Sequence, residues 1–188
     1  MMRYILLLCL IGLLLVGCAS TPDVASEEVY TVVQEGTIAA GDAVPAPQGR
    51  PILTLSGNIA NTNTETGLAF DQPALEQLRI VEYNVADPYT NGNEQYRGVL
   101  LEDVLTVAGA AEDASTLHMV ALDGYSVDVP TDVIRWPVMI AMYQNGETIP
   151  TTDKGPLRIV FPYGLYSDID ADVHNPMWVW QLESIEVR

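Results

Sequence analysis

Alternating apolar and polar residues predict a β-hairpin at residues 117–130. Leu117 and Met119 fall on one face of the first arm, because successive side chains of a strand point to opposite faces of the sheet. Asp123-Gly124 between the arms is typical of a two-residue turn, since glycine tolerates positive φ. We therefore expect the two arms to pair, with one face of the second arm half-buried.

Two short helices are predicted from capping residues and helical spacing. Asp71 precedes Pro73 and a short apolar pattern, so its side chain is a suitable N-cap for the first helix. The second helix begins near Leu101, because residues 101, 104, 105 and 108 are apolar and recur with the helical period. Gly109 is expected to end this helix.

Further apolar runs predict several short strands separated by loops. The last run, residues 178–187, changes parity at Glu183-Ser184, which indicates a β-bulge. Residues 87–95 and 163–176 are rich in turn-forming residues and are expected to be loops. Many short strands with two or three short helices indicate an α+β domain with a mainly antiparallel or mixed sheet. The other predicted strands are 52–55, 79–85, 138–143 and 157–161.

The N-terminal residues resemble the signal sequence of a bacterial lipoprotein. Arg3 precedes a short apolar run, and Leu15-Val16-Gly17-Cys18 is similar to a lipobox. In that family the signal is cleaved before the cysteine, which is then lipidated. The resemblance divides the chain into a signal peptide (residues 1–17), lipidated Cys18 with a flexible tether (18–50) and a globular domain (51–188). An ordinary signal peptide or an N-terminal membrane helix is the alternative.

Charge and cysteine content narrow the possible partners and chemistry. The chain has 8 Lys and Arg residues and 25 Asp and Glu residues, a formal net charge of −17 at pH 7. We therefore expect no nucleic-acid partner, because phosphate binding needs a basic surface. Cys9 and Cys18 are the two cysteines of the sequence. After cleavage before Cys18, the domain would contain no disulfide, thiolate metal site or cysteine nucleophile.

Five sequence segments follow one another in a distinctive order within residues 51–188. They are YRGVLLEDVL (96–105), ALDGYSVDVP (121–130), VMIA with NGE (138–141 and 145–147), KGPLRIVFP (154–162) and WVWQL with Ile185 and Val187 (178–187). Together they resemble the oxidoreductase molybdopterin-binding domain, the fold of the sulfite-oxidase family. The likeness is to its short, single-domain bacterial members, which lack the dimerisation domain. It implies a molybdopterin cofactor and oxidoreductase chemistry.

One departure from the family concerns the metal ligand. Family enzymes ligate molybdenum through a cysteine upstream of the first of these segments, and the corresponding region here, residues 80–87, contains none. Without that thiolate the metal would lose its protein ligand. The pterin phosphate would still favour Arg or Lys side chains. We favour pairing of Arg97 and Arg158 with nearby acids over cofactor contacts. The candidate cofactor-binding residues are Arg97, Asp123, Tyr125, Lys154 and Arg158.

An acidic segment near the C-terminus is a candidate metal site. Its side chains recur at every second position, and oxygen ligands at that spacing suit a divalent cation. A solvated acidic loop is the interpretation that we favour, because runs of charge usually face water. The candidate metal ligands are Asp168, Asp170, Asp172 and His174.

The missing cysteine favours a non-catalytic domain, for which we assign no catalytic residues and expect no cofactor. It would be an extracytoplasmic protein anchored to a membrane through lipid on Cys18, binding an unknown small molecule or an envelope protein. Ala19, instead of Asp, after the lipidated cysteine favours the outer membrane of a Gram-negative cell. One alternative is a molybdenum-dependent oxidoreductase that holds molybdopterin through pterin contacts alone. Another is an envelope protein-interaction module without a small ligand.

Replacing Cys18 by serine is expected to abolish lipidation, because the acyl chains require the thiol. Mass spectrometry of the N-terminal peptide from the membrane fraction provides the measurement. The wild-type chain should begin at a lipid-modified Cys18, and Cys18→Ser should carry no lipid. Cys9→Ser, which changes the cysteine inside the predicted signal, is the matched control and should behave as wild type. An unmodified Cys18 in the wild-type protein would contradict the lipoprotein prediction.

Overall fold

The computed structural model describes residues 29–90 and 92–188. The predicted signal peptide, Cys18 and the first part of the predicted tether lie outside the described residues. Eleven strands and three α-helices occur within these two ranges. The strands are β1 (Thr31–Gln34), β2 (Leu53–Gly57), β3 (Leu68–Phe70), β4 (Ile80–Asp87), β5 (Gly92–Leu100), β6 (Thr116–Ala121), β7 (Ser126–Pro130), β8 (Met139–Gln144), β9 (Glu147–Thr148), β10 (Arg158–Val160) and β11 (Leu182–Val187), and the helices are α1 (Gln72–Leu75), α2 (Leu101–Ala108) and α3 (Ala171–His174).

The strands form two sheets. The first has six strands in the order β1-β4-β5-β8-β10, with β9 paired to β8, and its pairs are antiparallel. The second has the order β3-β2-β11-β6-β7, in which β11 runs parallel to β2 and antiparallel to β6. One buried apolar cluster contains residues of both sheets and of α2. This arrangement confirms the predicted α+β class with antiparallel and mixed sheets.

Both predicted helices are present, and their ends follow the expected chemistry. The Asp71 carboxylate accepts a hydrogen bond from the Ala74 amide and caps α1. Gly109 ends α2 in the left-handed region, with φ of +62°. None of the described helices is both long and apolar enough to cross a membrane.

Gly98 lies where the backbone of β5 comes close to that of β8. A Cβ atom at this position would stand 2.2 Å from the carbonyl oxygen of Ile140. The register of the two strands also shifts between Arg97 and Gly98. The glycine of the first family segment therefore permits a bulged, close strand pair that a larger residue would separate.

The hairpin predicted from the alternation is present as β6 and β7, but its turn differs. The Gly124 amide donates to the Ala121 carbonyl at 3.0 Å, and the Ala121 amide donates to the Tyr125 carbonyl at 2.9 Å. Gly124 has φ of +87°, whereas Asp123 does not enter the left-handed region. The prediction of a two-residue turn was therefore wrong, because a three-residue loop with glycine in its last position closes the hairpin.

The predicted loop at residues 87–95 is largely β-structure. The β4–β5 hairpin continues to the pair Asp87↔Gly92, so residues 92–95 belong to β5. Gly92 has no side chain, and the polar side chains of residues 93–95 are exposed or half-buried, so no hydrophobic period predicts this part of the strand. Backbone pairing extends the hairpin beyond the part that its apolar side chains mark.

The C-terminal segment confirms the bulge but not the full predicted strand. The β11–β6 register shifts between Leu182 and Ser184. The strand begins only at Leu182, after Gln181 with φ of +53° redirects the chain. Trp178 is buried and Trp180 partly exposed, so the two do not share one strand face as their spacing indicates. The predicted loop at 163–176 also contains α3 and the start of a short 3₁₀ helix, Asn175–Met177.

Residues 29–50, the described part of the predicted tether, pack against the domain. β1 pairs antiparallel with β4, and Val44 is buried. The amides of Gln48 and Gly49 both donate to the Asp71 carboxylate at 2.9 Å. The hydrogen bond from Gly49 is the main reason that the pKa of Asp71 lies below its usual value. The folded unit therefore includes residues on the N-terminal side of Pro51, and these were predicted to be flexible because they lack hydrophobic period.

Candidate ligand-binding site

A buried pair of opposite charges lies at the end of β4. The side chains of Asp87 and Arg158 are both fully buried, and Asp87 Oδ2 lies 3.2 Å from Arg158 Nη2. The Tyr96 hydroxyl donates to the Asp87 carboxylate and accepts from Arg158 Nη1 at 2.8 Å. Three strands of the first sheet, β4, β5 and β10, supply these three residues. The carboxylate and the guanidinium neutralise each other where water cannot reach them.

Three buried donors near this pair have no aligned hydrogen-bond partner within the described part of the chain. They are Arg158 Nε, Arg158 Nη2 and the indole nitrogen of Trp178. The guanidinium carbon of Arg158 lies 5.1 Å from the ring centre of Tyr96 and 5.3 Å from that of Trp178. Arg158 therefore touches Asp87 through charge and two aromatic rings through cation–π contact, and part of its donor capacity stays unused.

Two tyrosines beside the pair remain protonated at neutral pH. Burial raises the pKa of Tyr96, and burial also raises the pKa of Tyr163 to about 12. The Tyr163 hydroxyl donates to Asn175 Oδ1 at 2.9 Å, and its ring lies 5.2 Å from that of Trp178. Because deprotonation of either phenol is unfavourable, these groups serve as hydrogen-bond donors and packing surfaces and not as bases.

Two cavities open on the segment that follows β4. The β4 cavity has a volume of about 480 Å³ and includes Asp87 in its wall. The aromatic cavity has a volume of about 320 Å³ and is lined mainly by aromatic side chains. The β4 cavity is lined by Ala86, Asp87, Pro88, Gly92, Asn93, Tyr163 and Ala171. The aromatic cavity is lined by Tyr89, Asp123, Tyr125, Asn175, Pro176, Trp178 and Trp180.

The predicted cofactor-binding residues do not all lie at the same place in the structure. Asp123 and Tyr125 line the aromatic cavity. Arg158 is buried against Trp178, one wall of that cavity, and Lys154 Nζ stands 4.9 Å from the ring centre of Trp180. Arg97 lies elsewhere, stacked at 4.1 Å on the ring of Tyr143. Four of the five candidates therefore gather around one cavity, two of them in its lining.

The expected pairing of arginines with acids is found for Arg158 and not for Arg97. Arg158 pairs with Asp87 in the interior. Arg97 makes no salt bridge with any described residue and uses the Tyr143 ring instead.

The four candidate metal ligands do not converge. Asp168 accepts from the Trp136 indole nitrogen at 3.2 Å, and Asp170 caps α3 by accepting from the Asp172 amide at 2.9 Å. His174 donates from Nδ1 to the Asp170 carbonyl at 2.8 Å. Across residues 29–90 and 92–188, no three His, Cys, Asp or Glu side chains are grouped as a metal site. The alternate spacing places ligands together on a strand, but the α3 turn rotates them apart.

Sequence reasoning missed Asp87, Tyr96, Tyr89 and Trp178 as site residues. Asp87 was assigned to a loop, although it is the last residue of β4 and fully buried as a side chain. Tyr96 and Trp178 belong to two of the five family segments, and this was the one feature of the sequence that could have indicated a role for them in the site. Asp87 and Arg158 meet only through the β-sheet, so no local pattern connects them.

Comparison with known proteins identifies the class. The family model described as "Oxidoreductase molybdopterin binding domain" matches residues 74–167, half of the chain. The chain therefore belongs to the oxidoreductase molybdopterin-binding domain family. No curated protein matches the sequence.

A solved structure of similar fold is the sulfane dehydrogenase SoxCD from Paracoccus pantotrophus. It shares 22% sequence identity with this chain, and the superposition has a TM-score of 0.54. The match covers 72% of this chain and 37% of the SoxCD chain. At this identity the likeness defines the fold, and the chain spans little more than a third of the protein it matches.

The lining of the two cavities does not fit an anionic molybdenum cofactor. β4 lacks cysteine, and the linings of the β4 and aromatic cavities contain Asp87 and Asp123 but no Lys or Arg. A phosphate placed in the aromatic cavity would meet the Asp123 carboxylate, and neither lining provides the guanidinium or ammonium groups that phosphate sites in proteins use. Arg158 is the nearest buried cation, and its charge is already paired with Asp87.

Arg158→Met is expected to lower the free energy of unfolding by about 3–5 kcal/mol, because it leaves the Asp87 carboxylate buried and unpaired. Urea unfolding followed by tryptophan fluorescence is the measurement. Arg135→Met is the matched control. Arg135 also pairs with an aspartate and stacks on a tryptophan, Asp132 and Trp136, but both charged partners are largely exposed. The control should lose about 1 kcal/mol or less. Equal losses in the two variants would contradict the interior role of Arg158.

Proposed function

We propose that this protein is a lipid-anchored, extracytoplasmic ligand-binding domain that keeps the molybdopterin-binding fold without a molybdenum centre. The observation that carries the proposal is the Asp87–Arg158 pair, which is buried at the end of the strand where the family provides its metal ligand. The ligand would be a small molecule held in the aromatic cavity, since concave and mostly apolar cavities are the usual binding sites.

The inward side chains of β4 support this proposal because each already has a structural partner. Val81 and Val85 are buried in the apolar cluster. The Tyr83 hydroxyl donates to the Val160 carbonyl at 3.0 Å. Asp87 completes the series through Arg158 and Tyr96. In place of a thiolate at the cavity, the strand has packing groups and an internally neutralised charge.

The chemistry of the site also favours binding over catalysis. Tyr96 and Tyr163 stay protonated because burial raises the pKa of both side chains. The aromatic cavity contains one carboxylate, that of Asp123, which accepts a hydrogen bond from the Tyr125 amide. These residues can orient and enclose a ligand, and they exclude water from its apolar parts.

The N-terminal residues support the anchored, extracytoplasmic location. Arg3, the apolar run after it and the lipobox-like segment ending at Cys18 are the expected components of a lipoprotein signal. A net charge of −17 suits a soluble domain held outside the membrane and repels anionic surfaces.

A second candidate function is a molybdenum-dependent oxidoreductase that holds its cofactor through pterin contacts alone. The specific observation in its favour is that Arg158 Nε and the Trp178 indole nitrogen are buried donors without a hydrogen-bond partner among the described residues. If the cofactor bound, it would supply the redox chemistry, and Trp178, which lines the aromatic cavity, would be the nearer of the two donors to it.

Molybdenum per chain separates the two functions. The full chain is purified from membranes of a host that makes the cofactor, and its metal content is measured by elemental mass spectrometry. The proposal predicts essentially no molybdenum. A cysteine-containing family member exported by the same host is the control and should carry close to one metal per chain. A near-stoichiometric content in this protein would reject the proposal in favour of the oxidoreductase.

A further inference from the structure

We propose that the aromatic cavity binds a small organic cation bearing a quaternary or methylated ammonium group, an inference that rests on the ligand-binding function proposed above. Four of its lining residues are aromatic: Tyr89, Tyr125, Trp178 and Trp180. The ring centres of Tyr89 and Trp180 are 4.8 Å apart at 78°, and those of Tyr89 and Trp178 are 6.0 Å apart at 64°. The edge-to-face packing fixes these rings relative to one another, and a ring face that remains open to the cavity can attract a cation.

The exposure of these rings is unusual within the protein. Tyr89, Tyr125 and Trp180 are 40%, 44% and 36% exposed. They are the exposed aromatic side chains among the described residues, and all three line this one cavity. An exposed aromatic cluster around a concave site marks a place where a ligand or partner covers apolar surface.

The tyrosine rings are held in position before any ligand arrives. The Tyr125 hydroxyl donates to the Pro176 carbonyl at 2.7 Å, and the Tyr89 hydroxyl donates to the Asn175 carbonyl at 2.8 Å. Both acceptors belong to the segment that forms the cavity wall. Since the hydroxyls are engaged with the wall, little conformational entropy is lost when a ligand binds to the rings.

The charge of the lining has the sign that a cation requires. Asp123 is the one ionisable carboxyl among the lining residues, and it forms no salt bridge with any residue in the described ranges. No Lys or Arg lines the cavity. Lys154 and Arg158 contact the rings of Trp180 and Trp178 but are not lining residues, so Asp123 is the charged group that a ligand in the cavity would meet. A carboxylate without a salt-bridge partner favours an ammonium ion over an anion.

The protein already contains an ammonium–ring contact at this site. Lys154 Nζ lies 4.9 Å from the ring centre of Trp180, yet Lys154 is not among the residues that line the cavity. Trp180 therefore binds a primary ammonium from its own chain. The cavity of about 320 Å³ is within the size range of small-molecule sites.

Choline and its uncharged isostere 3,3-dimethylbutan-1-ol provide the sharpest test, because they have the same shape and differ in the positive charge. Isothermal titration calorimetry on the full chain in a non-ionic detergent measures both. Choline is expected to bind at least about tenfold more tightly than the alcohol, since cation–π contacts and the carboxylate act only on the charged ligand. No saturable binding of choline, or equal affinity for the two compounds, would overturn the inference.

Two variants locate the binding within the cavity. Asp123→Asn and Trp180→Leu should each weaken choline binding by about fivefold or more. Asp113→Asn removes one exposed negative charge outside the cavity and should leave the affinity unchanged. An equal loss in Asp113→Asn would show a general charge effect and would overturn the site assignment. The choline and alcohol comparison on the wild-type chain needs no variant to fold.

The ligand that carries the ammonium group is a soluble molecule and not a lipid head group. Phosphatidylcholine added to the detergent micelles should therefore not compete with free choline, and full competition at equal choline concentration would overturn that assignment in favour of a lipid head group. Failure of choline binding in a chain free of molybdenum would reject this inference and leave the proposed function standing. A molybdenum-loaded chain would reject the proposed function itself.

Discussion

The buried contact between Asp87 and Arg158 is the constraint on which the candidate site depends. Removing two charges from water costs several kcal/mol for each ion, and their attraction offsets this only while both are present. The contact joins the end of β4 to β10, and Tyr96 of β5 bonds to both partners. Trp178 packs against Arg158 and forms a wall of the aromatic cavity. The position of that wall therefore depends on a charge pair in the interior of the first sheet.

Under the proposed function, the same pair marks where this chain departs from the chemistry of its family. The match to the molybdopterin-binding family spans residues 74–167, which include the hairpin of β6 and β7 and the glycine at the β5–β8 bulge. The cofactor chemistry depends instead on a few side chains at the cavity, and here these are carboxylates and aromatic rings. Fold and function can separate in this way because the core specifies the backbone while the site residues specify the ligand.

Local patterns predicted the fold class, both main helices and the bulge in β11, because each depends on residues close in the sequence. The part of the β4–β5 hairpin nearest its turn was not predicted. Residues 92–95 have no apolar side chain on either face of the strand, and backbone pairing orders them. Asp123 and Tyr125 were placed at the site through the family segments. Asp87 could not be predicted as a site residue, because its partner Arg158 is distant in sequence and is brought near only by the sheet. The acidic segment at 168–174 has metal-like spacing, but its helical turn disperses the ligands.

Asp87 and Arg158 act as one self-neutralising unit, and a double-mutant cycle measures the coupling between them. The free energies of unfolding of Asp87→Asn, Arg158→Met and the double variant are compared with that of the wild-type chain. We expect the double variant to lose at least about 1–2 kcal/mol less than the sum of the single losses, because the second substitution removes a charge that the first had left unpaired. Additive losses, within about 0.5 kcal/mol, would show instead that the two groups are independent.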